Sequence, residues 1–331
     1  MKTVINVMKS LILFVMLGLG FAFSKKDVPV NGSAAGTIDY HQTASTQFIT
    51  AGETKFAYRV LGRKTGIPVV MIASLGSSMD EWDPAVTNGL AQQYQVIIFD
   101  IQGVGSSSGT TPDNIPDMAK GVVNFINALG YSKVNLLGFS MGSFISEQIV
   151  LTNPALVNKV ILTGTGPKGA EGLSNLPNLL KQTVGLNPEQ AFLASHFTQS
   201  AASQAAGKLS FERIIKRKEN RDSAVTNESA YAGLKAVLAW AQPNPDAFNE
   251  LKNIKKPVLI VQGESDFLVP VVNAVRMSDS IPGAKLIVYK DAGHGSLYQY
   301  HDEFVKATSD FLSKYEKKNN KKRIAKIFNN S

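Results

Sequence analysis

Short runs of aliphatic and β-branched residues recur along this chain, separated by longer stretches with helical spacing. The runs fall at Pro68–Ile72, Gln95–Phe99, Lys133–Leu137, Lys159–Thr163, Val258–Gln262 and Lys285–Tyr289. Helical patterns occupy Asp80–Gln93, Asp117–Leu129, Met141–Leu151, Val271–Ser280 and Leu297–Tyr315. The runs are apolar at consecutive positions, so both faces of each strand must be covered. Strands of that kind, alternating with helices, predict an α/β fold with a mainly parallel sheet between helical layers. Ahead of them, Phe48–Leu61 reads as a β-hairpin turning near Gly52-Glu53, which brings the expected sheet to eight strands.

The alternation breaks once, between Pro167 and about Asn253. That stretch is helix-rich, with Leu179, Phe192, Phe197, Phe211, Ile214, Tyr231, Leu234 and Trp240 as expected buried positions. A long insertion after the sixth strand is well situated to form a helical cap or lid. The ends of the chain differ from its body. Lys2 and Lys9 precede an uninterrupted apolar stretch, Leu11 to Phe23, that closes on Ala22-Phe-Ser24. A basic start, a short apolar core and small residues before the boundary read as an export signal over residues 1–24. The alternative is an uncleaved membrane anchor, although the run is short for a bilayer span. Residues 25–46 read as a linker, 47–166 and 254–315 as the core, 167–253 as the cap and 316–331 as a basic tail.

The formal charge of +8 does not describe the body. Lys314 to Lys326 holds seven Lys or Arg and one acid, Glu316, and so supplies +6 of it. Nucleic-acid binding calls for basic residues on an ordered face with interleaved aromatics, and the body has no such face. The tail reads as a solvated terminus, with a weak hold on anionic lipid as its functional rival. With no cysteine in the chain, disulfides and lipidation at a cleavage-site cysteine are excluded.

Two segments match G-x-S-x-G. Gly138-Phe-Ser-Met-Gly142 follows an apolar run and precedes a helical one. A serine on such a strand-to-helix turn is exposed against the free N–H groups of the helix, and the glycines relieve crowding. Ser140 is therefore the expected nucleophile. Gly105-Ser-Ser-Ser-Gly109 leads instead into Thr-Thr-Pro-Asp-Asn-Ile-Pro, which is turn chemistry, so Ser107 reads as a loop residue.

A serine hydroxyl needs an oriented base. Of the four histidines, His41 lies in the linker, His196 in the insertion and His301 in the last helix. His294, in Lys290-Asp-Ala-Gly-His-Gly295, leaves the last strand at the edge that carries Ser140, and it is the expected base. Asp266 follows the Val258–Gln262 strand and is the expected orienting acid, with Glu264 as the weaker alternative. Asp291 lies too close to His294 in the same loop, and Asp100 reads as a loop brace. An oxyanion hole requires two backbone N–H groups, expected from Met141 and from Leu75 in the loop after the Pro68–Ile72 strand.

Taken together, these segments resemble the α/β-hydrolase fold superfamily over about residues 47–315. The carrying residues are Ser74-Leu-Gly76 with Trp82, Asp100-Ile-Gln-Gly-Val-Gly105, the Gly138–Gly142 turn, Gly263-Glu-Ser-Asp266 with Val269-Pro270, and Gly293-His294-Gly295. The order Ser, Asp, His is that of the superfamily, and the resemblance implies a cap after the sixth strand. Many members have His-Gly where this chain has Ala73-Ser74; Ser-Leu-Gly is similar to enol-lactone hydrolases. Gln102 stands where an arginine is common. The resemblance implies a carboxylesterase- or lactonase-like serine hydrolase acting on a small-molecule ester or lactone. Cofactor-free perhydrolysis and a slow-turnover ligand-binding signalling protein are the alternatives. No cofactor or metal is expected: the histidines lack ligand spacing, and Gly164–Gly169, although it matches G-x-G-x-x-G, is not followed by a second strand with a ribose-binding acid.

Overall fold

The computed structural model describes residues 38–313. The expected signal at 1–24, most of the expected linker and the basic tail at 316–331 lie outside the described residues. Eight strands form one sheet: β1 (Gln47–Ala51), β2 (Thr54–Leu61), β3 (Val69–Ile72), β4 (Val96–Phe99), β5 (Val134–Phe139), β6 (Val157–Thr163), β7 (Val258–Gly263) and β8 (Lys285–Tyr289). Their order is β1-β2-β4-β3-β5-β6-β7-β8. The β1–β2 and β2–β4 pairs are antiparallel, and every other pair is parallel.

The consecutive apolar residues of the central strands divide between the two faces, as the pleat requires. Val70, Ile72, Ile97, Phe99 and Leu136 belong to the core under the helices Ile115–Ala128 and Met141–Thr152. Val69, Met71, Val96, Ile98 and Leu137 belong to a second core with the helix Pro84–Ala91 and the helical residues 301–313. Among the described residues no helix is long and apolar enough to cross a membrane.

Three expectations change. The helix expected over Asp80–Gln93 is two pieces, a 3-10 turn at Met79–Glu81 and a helix at Pro84–Ala91. Pro84 suits a first turn rather than a helix interior, and Asp83 caps the new start by accepting the Ala85 N–H at 2.8 Å. The helix expected from Leu297 breaks at Tyr300, after Ser296–Gln299. Tyr300 stacks on Tyr289 at 4.6 Å, and its hydroxyl donates to the Lys290 carbonyl at 2.8 Å, which fixes the chain at that point. Residues 39–46, read as linker, are part of the folded body. A short helix, Tyr40–Thr43, starts at the Asp39 cap and buries His41 against Thr87, with Nδ1 and Oγ1 2.9 Å apart. Arg217 donates to the carbonyls of His41, Gln42 and Ala44 and clamps this segment in place.

Between β6 and β7 every regular element is helical, from Leu173–Asn175 to Ala247–Leu251. Charged side chains tie this insertion to the turn after β3. Arg213 donates Nε and Nη2 to Asp83 at 2.8 and 2.6 Å. Buried Arg59 forks onto Asp80 at 2.5 and 3.2 Å and also donates to the Asn220 carbonyl at 2.9 Å. Burial raises the Asp80 carboxyl, but the hydrogen bonds and charge of Arg59, joined by the Asp222 N–H and the Arg221 charge, outweigh it, and the net shift is downward.

Glu147, on the helix Met141–Thr152, is 2% exposed, and its Oε2 has no hydrogen-bond partner. Burial pushes its carboxyl up to about 8; the Lys168 charge opposes this and the Glu250 charge adds to it. A carboxyl raised in the folded state keeps its proton there after the unfolded chain has lost its own. The associated penalty is therefore absent below the ordinary glutamate range and grows as pH rises toward 8, reaching on the order of a few kcal/mol. Glu147→Gln should raise the Tm relative to wild type at pH 8 and much less at pH 5. A Tm difference independent of pH would contradict this reading.

Candidate active site

Strands β3, β5, β6, β7 and β8 run parallel, so the loops after them open on one edge of the sheet. The order also reverses at β3, with β4 on one side and β5 on the other, and crevices form at such switch points. Leu75 follows β3, Ser140 follows β5, Asp266 follows β7 and His294 follows β8. One edge thus gathers all the loops that carry the expected chemistry.

Ser140 is half-buried and has φ 54° and ψ −119°, a conformation that costs on the order of 1–3 kcal/mol for a residue with a Cβ. The surroundings hold it there. Its N–H donates to the Thr163 carbonyl at 2.9 Å, and its carbonyl accepts the Ser143 N–H at 2.8 Å. Buried Ser143 Oγ lies 2.7 Å from the Gly138 carbonyl and accepts the Thr163 N–H at 3.0 Å. A Cβ at Gly138 would strike the Gly142 carbonyl, and one at Gly142 would strike the Ile72 carbonyl. The two glycines therefore let the helix Met141–Thr152 start directly against β3 and β5. The Met141 N–H is the first of that helix and has no partner in its own ladder.

His294 and Asp266 are both buried, with Nδ1 and Oδ2 2.7 Å apart. A carboxylate only accepts, so this pairing puts the hydrogen on Nδ1 and leaves Nε2 as the basic nitrogen. Asp266 is itself fixed by three further donors. Oδ1 accepts the Leu268 and Val269 N–H groups at 3.0 and 2.9 Å, and Oδ2 accepts Gln262 Nε2 at 2.8 Å. The His294 ring lies 5.0 Å from that of Phe139, the residue before Ser140. Gly164, one residue beyond the carbonyl that anchors Ser140, passes under the imidazole, where a Cβ would come within 2.8 Å of Cε1. The glycines of the Gly164–Gly169 segment thus serve packing around the histidine and the exit toward the insertion. Among the described residues no hydrogen bond joins Ser140 Oγ to His294; the His294 ring packs instead against Phe139 and Gly164.

The other candidates lie elsewhere. Ser107 Oγ donates to the Asp100 carbonyl at 2.8 Å and accepts the Ala57 N–H at 2.9 Å, so it is a buried strut. Glu264 is exposed. Asp291 is exposed and accepts from Thr198 and Ser200 of the insertion at 2.7 and 2.5 Å. Asp100 braces two loops by accepting the Met79 and Ser106 N–H groups at 2.8 and 3.2 Å. Burial, and then the neighbouring Asp222 carboxyl, hold Asp100 well above the usual carboxylate range. His301 pairs with its neighbour Asp302.

His196 has a part that its sequence position did not reveal. Its carbonyl accepts the Gly295 N–H at 2.8 Å, so the insertion grips the loop carrying His294. Its own ring is pushed down to about 3 by burial first and by His294 second, and stays uncharged at neutral pH. Gln262 also escaped notice. The available signal was a polar residue at the end of an otherwise apolar strand, Val258-Leu-Ile-Val-Gln262. Besides Asp266 it binds the Val269 carbonyl at 2.7 Å and the Thr165 N–H at 3.0 Å.

A small cleft opens beside the Ser140 turn. It is lined by Leu75, Met141, Ile101 and Val104 together with Val225 and Gly233 of the insertion, and Gly233 packs on Leu75 and Met141. Among the described residues no group of three or more His, Asp or Glu could hold a metal ion.

A family model described as alpha/beta hydrolase fold matches residues 67–299. A 2-hydroxy-6-oxononadienedioate/2-hydroxy-6-oxononatrienedioate hydrolase of Pseudomonas putida is 27% identical over 293 residues, covering 83% of this chain and 99% of its own. Among solved structures, an alpha/beta hydrolase fold protein from Chitinophaga pinensis shares 38% identity with a TM-score of 0.81, covering 83% of this chain and 99% of that one. The enol-lactonase from Burkholderia xenovorans LB400 shares the fold at 21% identity and a TM-score of 0.64, covering 81% of this chain and all of that one.

Gln262→Met removes a donor from Asp266 and leaves the Thr165 N–H without its acceptor. It should destabilise the protein by about 1–3 kcal/mol and also lower kcat for any substrate turned over. A reduced Tm with kcat unchanged would show that Gln262 serves the fold alone.

Proposed function

Because the chain belongs to the alpha/beta hydrolase fold family and is a hydrolase of that family, we propose that it is an exported serine hydrolase that cleaves a carboxylic ester or lactone. The observation that carries this reading is the buried His294–Asp266 pair, 2.7 Å apart, packed beside the positive-φ turn at Ser140. In this reading Ser140 Oγ adds to the substrate carbonyl carbon while His294 Nε2 takes its proton. The negative charge developing on the carbonyl oxygen is met by the Leu75 and Met141 N–H groups. Collapse breaks the acyl C–O bond, and His294 passes its proton to the departing oxygen. Water then adds to the acyl-enzyme as His294 removes its proton. Collapse of that second adduct releases the acid and returns the hydrogen to Ser140. With a lactone the departing oxygen stays tethered to the acid.

The character of the cleft supports a neutral substrate. Its lining is apolar and hydroxylic, with no lysine, arginine or histidine. The dienedioate named for the Pseudomonas putida relative carries two carboxylates, and such a ligand calls for cationic partners. The helical insertion serves as the cap, since Val225, Ser229 and Gly233 line the cleft from its side. Export rests on the sequence of residues 1–24, with the mature chain beginning near Lys25.

A fluorophosphonate probe should label the wild-type protein and leave Ser140→Ala unlabelled; equal labelling of both would refute Ser140 as the nucleophile. His294→Ala should lower kcat for a small ester by orders of magnitude. His196→Ala should cost far less, because the bond to Gly295 comes from the His196 main chain. Similar losses in both variants would contradict this division of roles.

A further inference from the structure

Asp100, just after β4, and Asp222, on the insertion, meet beside Gly105. A Cβ on Gly105 would come within 2.6 Å of Asp100 Oδ2 and 2.2 Å of Asp222 Oδ2, so both oxygens crowd the same glycine. The two carboxyls are within hydrogen-bonding reach of each other. Loop donors occupy the other positions. Asp100 Oδ1 accepts the Met79 N–H at 2.8 Å, its Oδ2 accepts the Ser106 N–H at 3.2 Å, and Asp222 Oδ1 accepts the Ser106 hydroxyl. Asp222 Oδ2 is buried, and no donor of another residue reaches it.

Among the described residues no cation pairs with either carboxyl. On β2, Arg59 forks onto Asp80, and the Lys55 ammonium lies over the Phe48 ring, 4.5 Å from its centroid. On the 3-10 turn, Asp80 accepts the Asp222 N–H, and Glu81 pairs with Arg221. His41 and Arg217 also turn to Asp80, at 3.9 and 3.8 Å, while Lys218 and Glu219 are exposed. Two carboxylates facing each other without a cation repel strongly, and neither can donate until one of them holds a hydrogen. A single hydrogen between the two Oδ2 atoms satisfies both.

We propose that this shared hydrogen is a pH-sensitive latch, which holds residues 220–225 of the insertion against the loop 100–106 and releases them when an alkaline medium removes it. Ile101 and Val104 lie on the core side of the latch and Val225 on its insertion side, and all three line the cleft beside the Ser140 turn. Burial, and then Asp222, hold the Asp100 carboxyl well above the usual carboxylate range. The hydrogen is therefore kept at lower pH and lost as pH rises through that raised value, after which two negative charges face each other. The latch does not depend on the serine-hydrolase reading.

Hydrogen–deuterium exchange of the full chain from pH 6 to pH 10, corrected for the intrinsic pH dependence of amide exchange, tests the latch. In wild type the protection of peptides covering 220–225 should fall by up to about tenfold per pH unit once the hydrogen is lost, while peptides covering β6 keep theirs. Asp222→Asn supplies the hydrogen permanently, with Nδ2 donating to Asp100 and Oδ1 still accepting from Ser106, so its protection should stay level across the range. Asp100→Asn places the amide on the other partner and should level the profile too, so the outcome does not hang on one variant folding. Level protection in wild type, or an equal fall in wild type and either variant, would overturn the latch. A parallel fall in β6 would overturn it as well, because it marks global unfolding rather than local release.

Discussion

The backbone of Ser140 is held at positive φ, and the rest of the site is arranged around that constraint. A residue with a Cβ does not remain there unaided, so the surrounding contacts must exceed its strain. They are the Thr163 carbonyl on the Ser140 N–H, the Ser143 hydroxyl beneath the turn, and two glycines that let the Ile72 and Gly142 carbonyls close in. Each contact comes from a neighbouring parallel strand or from the helix that follows. The turn is therefore a product of the sheet order, and a different register of β5 against β3 or β6 would dissolve it.

The same edge fixes the histidine by two independent routes. From below, β7 supplies Asp266, which is locked by the Leu268 and Val269 N–H groups and by Gln262. From above, the insertion supplies the His196 carbonyl and the Thr198 and Ser200 hydroxyls, which hold Gly295 and Asp291 on either side of His294. The insertion is anchored in turn by Arg213 on Asp83 and by Asp80, which binds Arg59 and the Asp222 N–H. Buried ion pairs of this kind add little net stability once their desolvation is counted, but breaking one partner is costly, so they favour a single seating of the insertion. The face near Asp80 and Asp83 is thereby pinned.

Much of this was legible in the sequence. The six runs read as buried strands correspond to β3 to β8 within a few residues, because consecutive β-branched and aliphatic residues bounded by turns have few other uses. The structure also brings Asp266 against His294, each from a loop leaving the same edge. Long-range polar contacts were less legible. Nothing in the local pattern around Arg217 reports that it binds carbonyls near His41, or around Asp222 that it meets Asp100. Gln262 is an intermediate case. A polar residue closing an apolar strand is visible as a letter, but its partners depend on distant segments. Boundaries failed where a single side chain decided them, at Pro84 and at Tyr300.

The account requires that the strained serine become covalently acylated during turnover. Rapid acid quench of the enzyme reacting with a slowly hydrolysed p-nitrophenyl ester, followed by peptide mass spectrometry, tests this directly. The predicted result is one added acyl mass on Ser140, accumulating at the rate of the p-nitrophenol burst and absent in Ser140→Ala. Turnover with no acylated peptide at any quench time, or with the acyl mass on Ser107 or another residue, would contradict it.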